Sequence, residues 1–408
     1  MTNLRAIQFD DSPSIDAFGR ARVSNSQTLF DSKQLYDDAP LFWNEELNGT
    51  GASSHSTANA ATTLSVAANA DFAIRQTFMR FNYIPGKSQQ ILMTFVLGSA
   101  TTNVEKYVGY FNSTITTPFA ANRDGIYLKQ DGTTQYICQA KTGSETAVAQ
   151  ANWNIDTMDG NGPSGITIDW TKAQIMMIDF EWLGVGRVRV GLVVDGLIYY
   201  VHEFLNANSV TAVYMQSPNH SLRYEIRSTG GADDLVHICS SVSTEGGEDA
   251  NGKNVYGSTA GTHVDAATEN TLYAIYGIQL KTTHRDAVVM VDNILLQLQS
   301  ANDFAEWVLL FNPTVAGTFT YNAITNSAVA AATGATANTV TGGFQLEGGF
   351  FSAGQGGVGG SSVGAVKNAL RLGAAIDGTV DSIVLAVRPV AGSSNIDVEG
   401  GLSWKEVL

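Results

Sequence analysis

The sequence predicts an all-β chain: an antiparallel β-sandwich or jelly-roll body in two β-domains, behind an extended N-terminal arm. Three observations carry this expectation. Across residues 166–204 apolar side chains recur at every second position, the period of a strand with one buried face. Between short apolar runs, turn residues return roughly every ten positions, the spacing of a sandwich or jelly roll. The composition, with 41 glycines and only 15% charged residues, suits short strands and many turns rather than helices. At 408 residues the chain is long enough for more than one core.

Residues 1–50 are polar with scattered apolar positions and read as an extended anchoring arm. Its anchors are Phe18, Arg20, Arg22, Leu29, Phe30, Tyr36, Phe42 and Trp43, with Leu35 between them. Such an arm cannot bury these side chains against itself, so it must lie on its own body or on a neighbouring subunit. Residues 51–245 are expected to form the first sandwich domain. Within it, 48–70 is a small-residue loop with a weak strand, Pro85-Gly86 marks a turn, and strands follow at 106–111, 125–128 and 134–140.

The clearest element is the meander that follows the turn cluster at 158–164. Ile178, Phe180 and Trp182 point one way, and Asp179 and Glu181 the other. After the turn at 184–186, Val188, Val190, Leu192 and Val194 alternate with Arg187 and Arg189. Asp195-Gly196 then reverses the chain, because a two-residue hairpin loop needs residues that accept positive φ. Ile198, Tyr200, His202 and Phe204 alternate again. The two acids are expected to meet the two arginines across the turn on a solvated face, in ion pairs worth ~0.2–1 kcal/mol each. Further strands are expected at 222–226 and 235–242. Residues 246–268, polar and Gly-rich, read as a linker or a long loop. Residues 269–408 read as a second β-rich domain, with strands at 271–280, 288–298, 307–311 and 383–387, a loop or weak strand at 328–341, and a closing strand at Trp404. No internal repeat is visible.

A net charge of −15 argues against general nucleic-acid binding, which needs Lys and Arg for phosphate contacts, and disfavours adhesion to anionic membrane. No run of ~18 apolar residues spans a membrane, and the first residues do not resemble a secretion signal, so a cytoplasmic origin is expected. Cys138 and Cys239 sit in apolar, strand-like surroundings and read as two buried free thiols; without Cys-x-x-Cys spacing no structural zinc is expected. His202 and His237 read as satisfied or partly buried strand residues rather than ligands. His55, His220, His263 and His284 lie in polar turns with no acidic or nucleophilic neighbour at a useful spacing. Asp179 and Glu181 are candidates in principle for glycoside hydrolysis, which uses two carboxyls, but their arginine neighbours point to an ion-paired face. Residues 154–162 are oxygen-rich yet depart from the calcium-loop pattern, and 342–364 lacks the Lys of a phosphate loop. No catalytic residue, cofactor-binding residue or metal ligand is assigned, and no cofactor is expected.

The pieces DAFGRARVS (16–24), TLFDSKQLYD (28–37), YIPGKSQQILMTFVLG (83–98), WNIDTMDGNGPSGITID (153–169), FEWLGVGRVRVG (180–191) and IVLAVRPVAGSSNIDVEGGLSWKE (383–406) resemble a family of tailed-bacteriophage virion structural proteins. The match is scattered over most of the chain, and its most specific part is DAFGR-R-S followed by LFDSKQ. The resemblance brings no catalytic residues. It implies a non-enzymatic virion protein, an exterior head decoration or spike-like protein made and assembled in the bacterial host cytoplasm. Its partners would be capsid or tail subunits and further copies of itself, held through the 1–50 arm in a symmetric homo-oligomer, a trimer by the habit of spikes. Two other readings stand beside it. One is a tail-fibre or baseplate adhesin whose exposed aromatics (Trp43, Tyr256, Phe350, Phe351) contact a host-surface glycan. The other is a glycan-cleaving virion enzyme using Asp179 and Glu181.

Overall fold

A computed structural model describes residues 14–23, 25–246, 252–299, 303–353, 358–362, 370–390 and 392–407. The chain forms two compact units, the first running to Ala250 without Phe78–Arg80, the second made of those three residues and the chain from Asn251. Both are antiparallel β throughout, as the alternation predicts, and among the described residues the only helical piece is a single 3-10 turn at Gln150–Asn152.

The strands of the first unit are β1 (Gln27–Lys33), β2 (Trp43–Asn48), β3 (Ala52–Ser56), β4 (Ala61–Val66), β5 (Phe72–Thr77), β6 (Gln89–Val96), β7 (Val104–Asn112), β8 (Asp124–Asp131), β9 (Thr134–Lys141), β10 (Ser144–Ala149), β11 (Gln174–Phe180), β12 (Val188–Val194), β13 (Leu197–Phe204), β14 (Leu222–Ser228) and β15 (Asp233–Thr244). One sheet has the order β13-β12-β11-β6-β15-β4-β3, with β1 added along β15; the other has the order β10-β9-β8-β7-β14-β5-β2. The core lies between them, where strands such as β4 and β6 turn apolar residues inward at every second position. Tyr224 of one sheet stacks on His237 of the other at 3.9 Å between ring centroids, and Tyr110 meets Phe180 at 5.7 Å.

The meander is built as its sequence predicts. β11, β12 and β13 are consecutive antiparallel neighbours, and Asp195 and Gly196 both take positive φ in the hairpin turn. Gly186 is required by close approach, since a Cβ there would lie 1.7 Å from the Glu181 carbonyl oxygen.

Part of the expected arm belongs to the body. β1 pairs with β15 and β2 with β5, because Phe30 and Trp43 find partners in their own chain: Phe30 packs on Phe42, Trp43 and Phe81, and Trp43 on Tyr224 and His237. Leu29 and Phe42 are half-buried, whereas Phe18 and Tyr36 face outward.

The second unit contains β16 (Lys253–Ser258), β17 (Val264–Ala266), β18 (Tyr273–Leu280), β19 (Val288–Leu298), β20 (Phe304–Phe311), β21 (Thr314–Val315), β22 (Asn322–Ala323), β23 (Val329–Thr333), β24 (Val340–Thr341), β25 (Phe344–Ser352), β26 (Val358–Ser362), β27 (Ser382–Pro389) and β28 (Ile396–Val407). A sheet in the order β16-β28-β19-β26, with β17 on β28, accompanies a second in the order β22-β23-β18-β27-β20-β25. Ala274, Val308, Leu310, Val384 and Ala386 of this second sheet form a core cluster with Val340 of β24, against which Leu272, Val315 and Phe319 pack, and Trp404 is fully buried on the closing strand β28. Residues 253–258 and 264–266, expected in a linker or loop, are strands; their backbones find partners on β28, and the only apolar alternation in them, Val264 and Ala266 about Asp265, is three residues long. Residues 247–251 of that stretch lie outside the described residues.

Candidate functional site: a buried charge network beneath residues 14–22

β11 carries Asp179 directly opposite Arg189 of β12, the register the alternation implies. The face they occupy is not solvated. Asp179, Glu181 and Arg189 are all fully buried, because residues 14–22 fold over them. That segment closes on itself through a bridge between Ile15 and Ala21, with Asp16 accepting from the backbone N–H groups of Phe18 and Arg20 at 2.9 and 2.8 Å.

The cover is held by charge. Arg22 donates to Asp179 at 2.6 Å and also pairs with Glu245. Arg20 pairs with Glu181 and with Asp16. Arg189 bonds Asp179 and donates to the Ile15 carbonyl at 2.7 Å, which ties the cover to the sheet beneath. Ser88 and Tyr200 donate to Asp179 at 2.5 and 3.2 Å. Arg187, expected opposite the same acids, pairs with Glu203 instead. Asp179 is therefore committed to two guanidiniums and two hydroxyls, and Glu181 lies under Arg20. The pair expected as candidate glycosidase carboxyls is closed to a glycosidic bond.

Three guanidiniums (Arg20, Arg22, Arg189) face four carboxyls (Asp16, Asp179, Glu181, Glu245) in this network. Burial is the main cause that pushes Glu181 up to about 7, against the attraction of Arg20, and Asp16, Glu245 and Asp179 push the same way. Its Oε2 is buried without a hydrogen-bond partner. An acid raised above its ordinary 4.5 holds its proton more readily in the folded chain than in the unfolded one. Its contribution to stability therefore falls as pH rises from 4.5 through 7. Glu181→Gln is expected to stabilise the first unit by about 1–2 kcal/mol near pH 8 and to change little near pH 4.5. Urea unfolding at both pH values checks this. Buried His202, held down to about 4, loses stability on acidification in both proteins, so the difference between them isolates Glu181. A difference independent of pH would show an ordinary Glu181.

The other sequence candidates fall into structural roles. His202 and His237, expected to be satisfied or partly buried, are both buried. His220, expected to lack an acidic neighbour, stands 2.9 Å from Asp124, a residue 96 positions earlier and invisible to local spacing. Asp156 accepts from the backbone of Met158 and Ser164 at 2.9 and 2.8 Å, so the oxygen-rich loop uses its carboxylate to hold a turn. Cys138 and Cys239 are free thiols; Cys138 is buried as expected, whereas Cys239 is only half-buried. Of the four aromatics expected at a glycan-facing surface, Trp43 and Phe351 are buried, and Tyr256 and Phe350 are exposed.

Sequence reasoning missed one cluster. His263 lies 3.2 Å from Asp265 and 3.9 Å from Asp397. The visible signal was His-x-Asp in an extended segment, which puts both side chains on one face; Asp397 could not be paired with them without the register of β28.

No protein-family model and no curated protein matches the chain. Among solved structures, peanut lectin is similar at a TM-score of 0.34 and 8% identity, over 54% of this chain and 98% of that one. The Bacillus licheniformis β-glucanase gives 0.33 and 11% over 54% and 98%. An endo-β-1,4-glucuronan lyase from Trichoderma reesei gives 0.32 and 10% over 49% and 94%. A likeness this distant carries no argument about ligand or activity.

Proposed function

We propose that the chain is a structural protein of the tailed-bacteriophage virion, carried on the particle exterior as a head decoration or spike-like protein. The observation that supports this reading best is the apolar surface along the N-terminal segment. Val23 is 93% exposed and Tyr36 86%, with Phe18 and Leu35 also outward, while Arg22 and Phe30 between them, and Trp43 after them, are held in the body. Four large apolar side chains left outward within one short segment are what a neighbouring subunit would cover. The anchor is then a face built by residues 14–43 rather than a free arm, and its partner is a neighbouring virion subunit or a second copy of the chain.

Immunogold labelling of intact particles with an antibody to residues 60–240 tests the location. Gold spread over the head is expected; particles without gold would overturn the virion reading. The double variant Val23→Asp, Tyr36→Glu is expected to reduce incorporation at least ~10-fold. Unfolding free energy should stay within about 0.5 kcal/mol, since both positions are exposed. Unchanged incorporation would exclude this face as the anchor.

A second reading, an adhesin for a host-surface glycan at the tail tip, draws on a pocket of 450 Å³ in the second unit. It is lined by Phe304, Ala305, Phe350, Phe351, Ser352 and Val390, with the Phe350 ring 76% exposed. Gold confined to the tail tip, with a competable glycan signal lost in Phe350→Ala, would favour it over decoration.

A further inference from the structure

We propose that the second unit carries a divalent-cation site of the zinc class, built from His263, Asp265 and Asp397. The backbone places the ligands. β17 pairs antiparallel with β28, so that Asp265 stands directly opposite Asp397. Val264, Ala266, Ile396 and Val398 turn inward and are buried, which sends both carboxylates to the outer face. His263, two residues before Asp265, joins them there. One ligand atom from each of the three lies within 4.8 Å of the other two.

Two features of the cluster call for a cation. Like charges directly opposite across a strand pair repel and weaken the pairing. Among the described residues the ion-pair partner of both carboxylates is His263, with no lysine or arginine beside them. Thr336 donates to Oδ2 of Asp265 at 3.3 Å, which leaves Oδ1, the oxygen nearer His263, free to ligate.

The separations fit a small cation. With ligands at ~2.0–2.2 Å in a tetrahedron, neighbouring donor atoms stand about 3.3–3.6 Å apart. The observed 3.2 and 3.9 Å from His263 Nε2 to the two carboxylate oxygens bracket that range. An imidazole nitrogen in the set selects zinc-like ions over calcium, which takes six to eight oxygens at longer distance. A fourth position is left for water or a neighbouring group. The bound ion would pin β17, only three residues long, and the turn at 259–262 to β28.

Isothermal titration of zinc ion into the full chain at neutral pH, after treatment with a chelator, tests the site. One equivalent is expected to bind in the micromolar range or tighter, and the thermal midpoint of the second unit should rise with zinc. His263→Ala and Asp397→Asn should each weaken binding by about tenfold or more and abolish the midpoint rise. His263 and Asp397 lie on the outer face, away from the buried core, so both variants should still fold and melt cooperatively in chelator. If zinc does not bind saturably, or binds the variants as it binds the wild type, His263 is only an ion-pair partner of the two aspartates and the proposal fails.

Discussion

A chain truncated to begin at Glu45 is expected to lose the folded first unit altogether. The truncation removes β1 from the edge of β15, where residues 27–33 pair with residues 239–244, and removes Trp43 from the start of β2. Phe30 and Trp43 are both buried, and deleting an aromatic from a core costs about 3–5 kcal/mol each. Polar losses add to this. Arg75, fully buried, would lose the Gln34 side-chain oxygen at 3.0 Å and the Asp38 carbonyl. Asp179 and Glu245 would lose Arg22. Together these losses reach the ~5–15 kcal/mol that stabilises a typical domain. The expected product shows no near-ultraviolet circular dichroism from this unit and no cooperative urea transition. Truncation at Ser14 keeps every contact named here and is the control. A residue 45–408 chain that retains the wild-type near-ultraviolet spectrum would instead make residues 14–44 a detachable arm.

The contrast between the meander and its cover shows what a single sequence discloses. Alternation is local information: Ile178, Asp179, Phe180 and Glu181 give a period of two wherever they sit, and Asp195-Gly196 gives the turn that sets the β12–β13 register. The paired strands and the Asp179–Arg189 partnership were legible for that reason. Which face meets water was not, because the cover comes from residues 14–22, more than 150 positions earlier. It is fastened by arginines rather than by an apolar stripe, so DAFGRAR reads as a polar arm. The same limit hid β16 and β17, whose partner β28 lies at the far end of the second unit, and with them the approach of His263 to Asp397. Phe30 and Trp43 were legible as anchors because their size demands burial. Their host, the core of their own unit, was one of the two possibilities the sequence left open.

Glu225→Ala is expected to be the most damaging single substitution in the first unit. Glu225 sits fully buried on β14 and receives three guanidiniums: Arg123 at 2.6 Å, Arg223 at 2.6 Å and Arg227. The arginines are otherwise held by neutral groups, Arg223 by Gln76 at 3.0 Å and the Phe119 carbonyl at 2.9 Å, and Arg123 by the face of the Tyr107 ring at 3.9 Å. Removing the one carboxylate leaves three like charges together with Arg223 buried among them, a loss of about 3–5 kcal/mol by the behaviour of broken buried pairs. The pH dependence separates this from simple cavity formation. Burial works against the charged carboxyl, but the three arginines prevail and hold Glu225 well below its ordinary 4.5. Below that value the unfolded chain binds the proton first, so the stability Glu225 supplies is complete above pH 4.5 and drains away as pH falls. Glu225→Gln, which keeps the shape and removes the charge, should therefore be strongly destabilised at pH 7, and its deficit relative to the wild type should shrink steadily below pH 4.5. Urea midpoints of the two proteins from pH 3 to pH 7 give the comparison. A deficit that stays constant across that range would mean that packing of the side chain, and not its charge, holds β14 in the sheet.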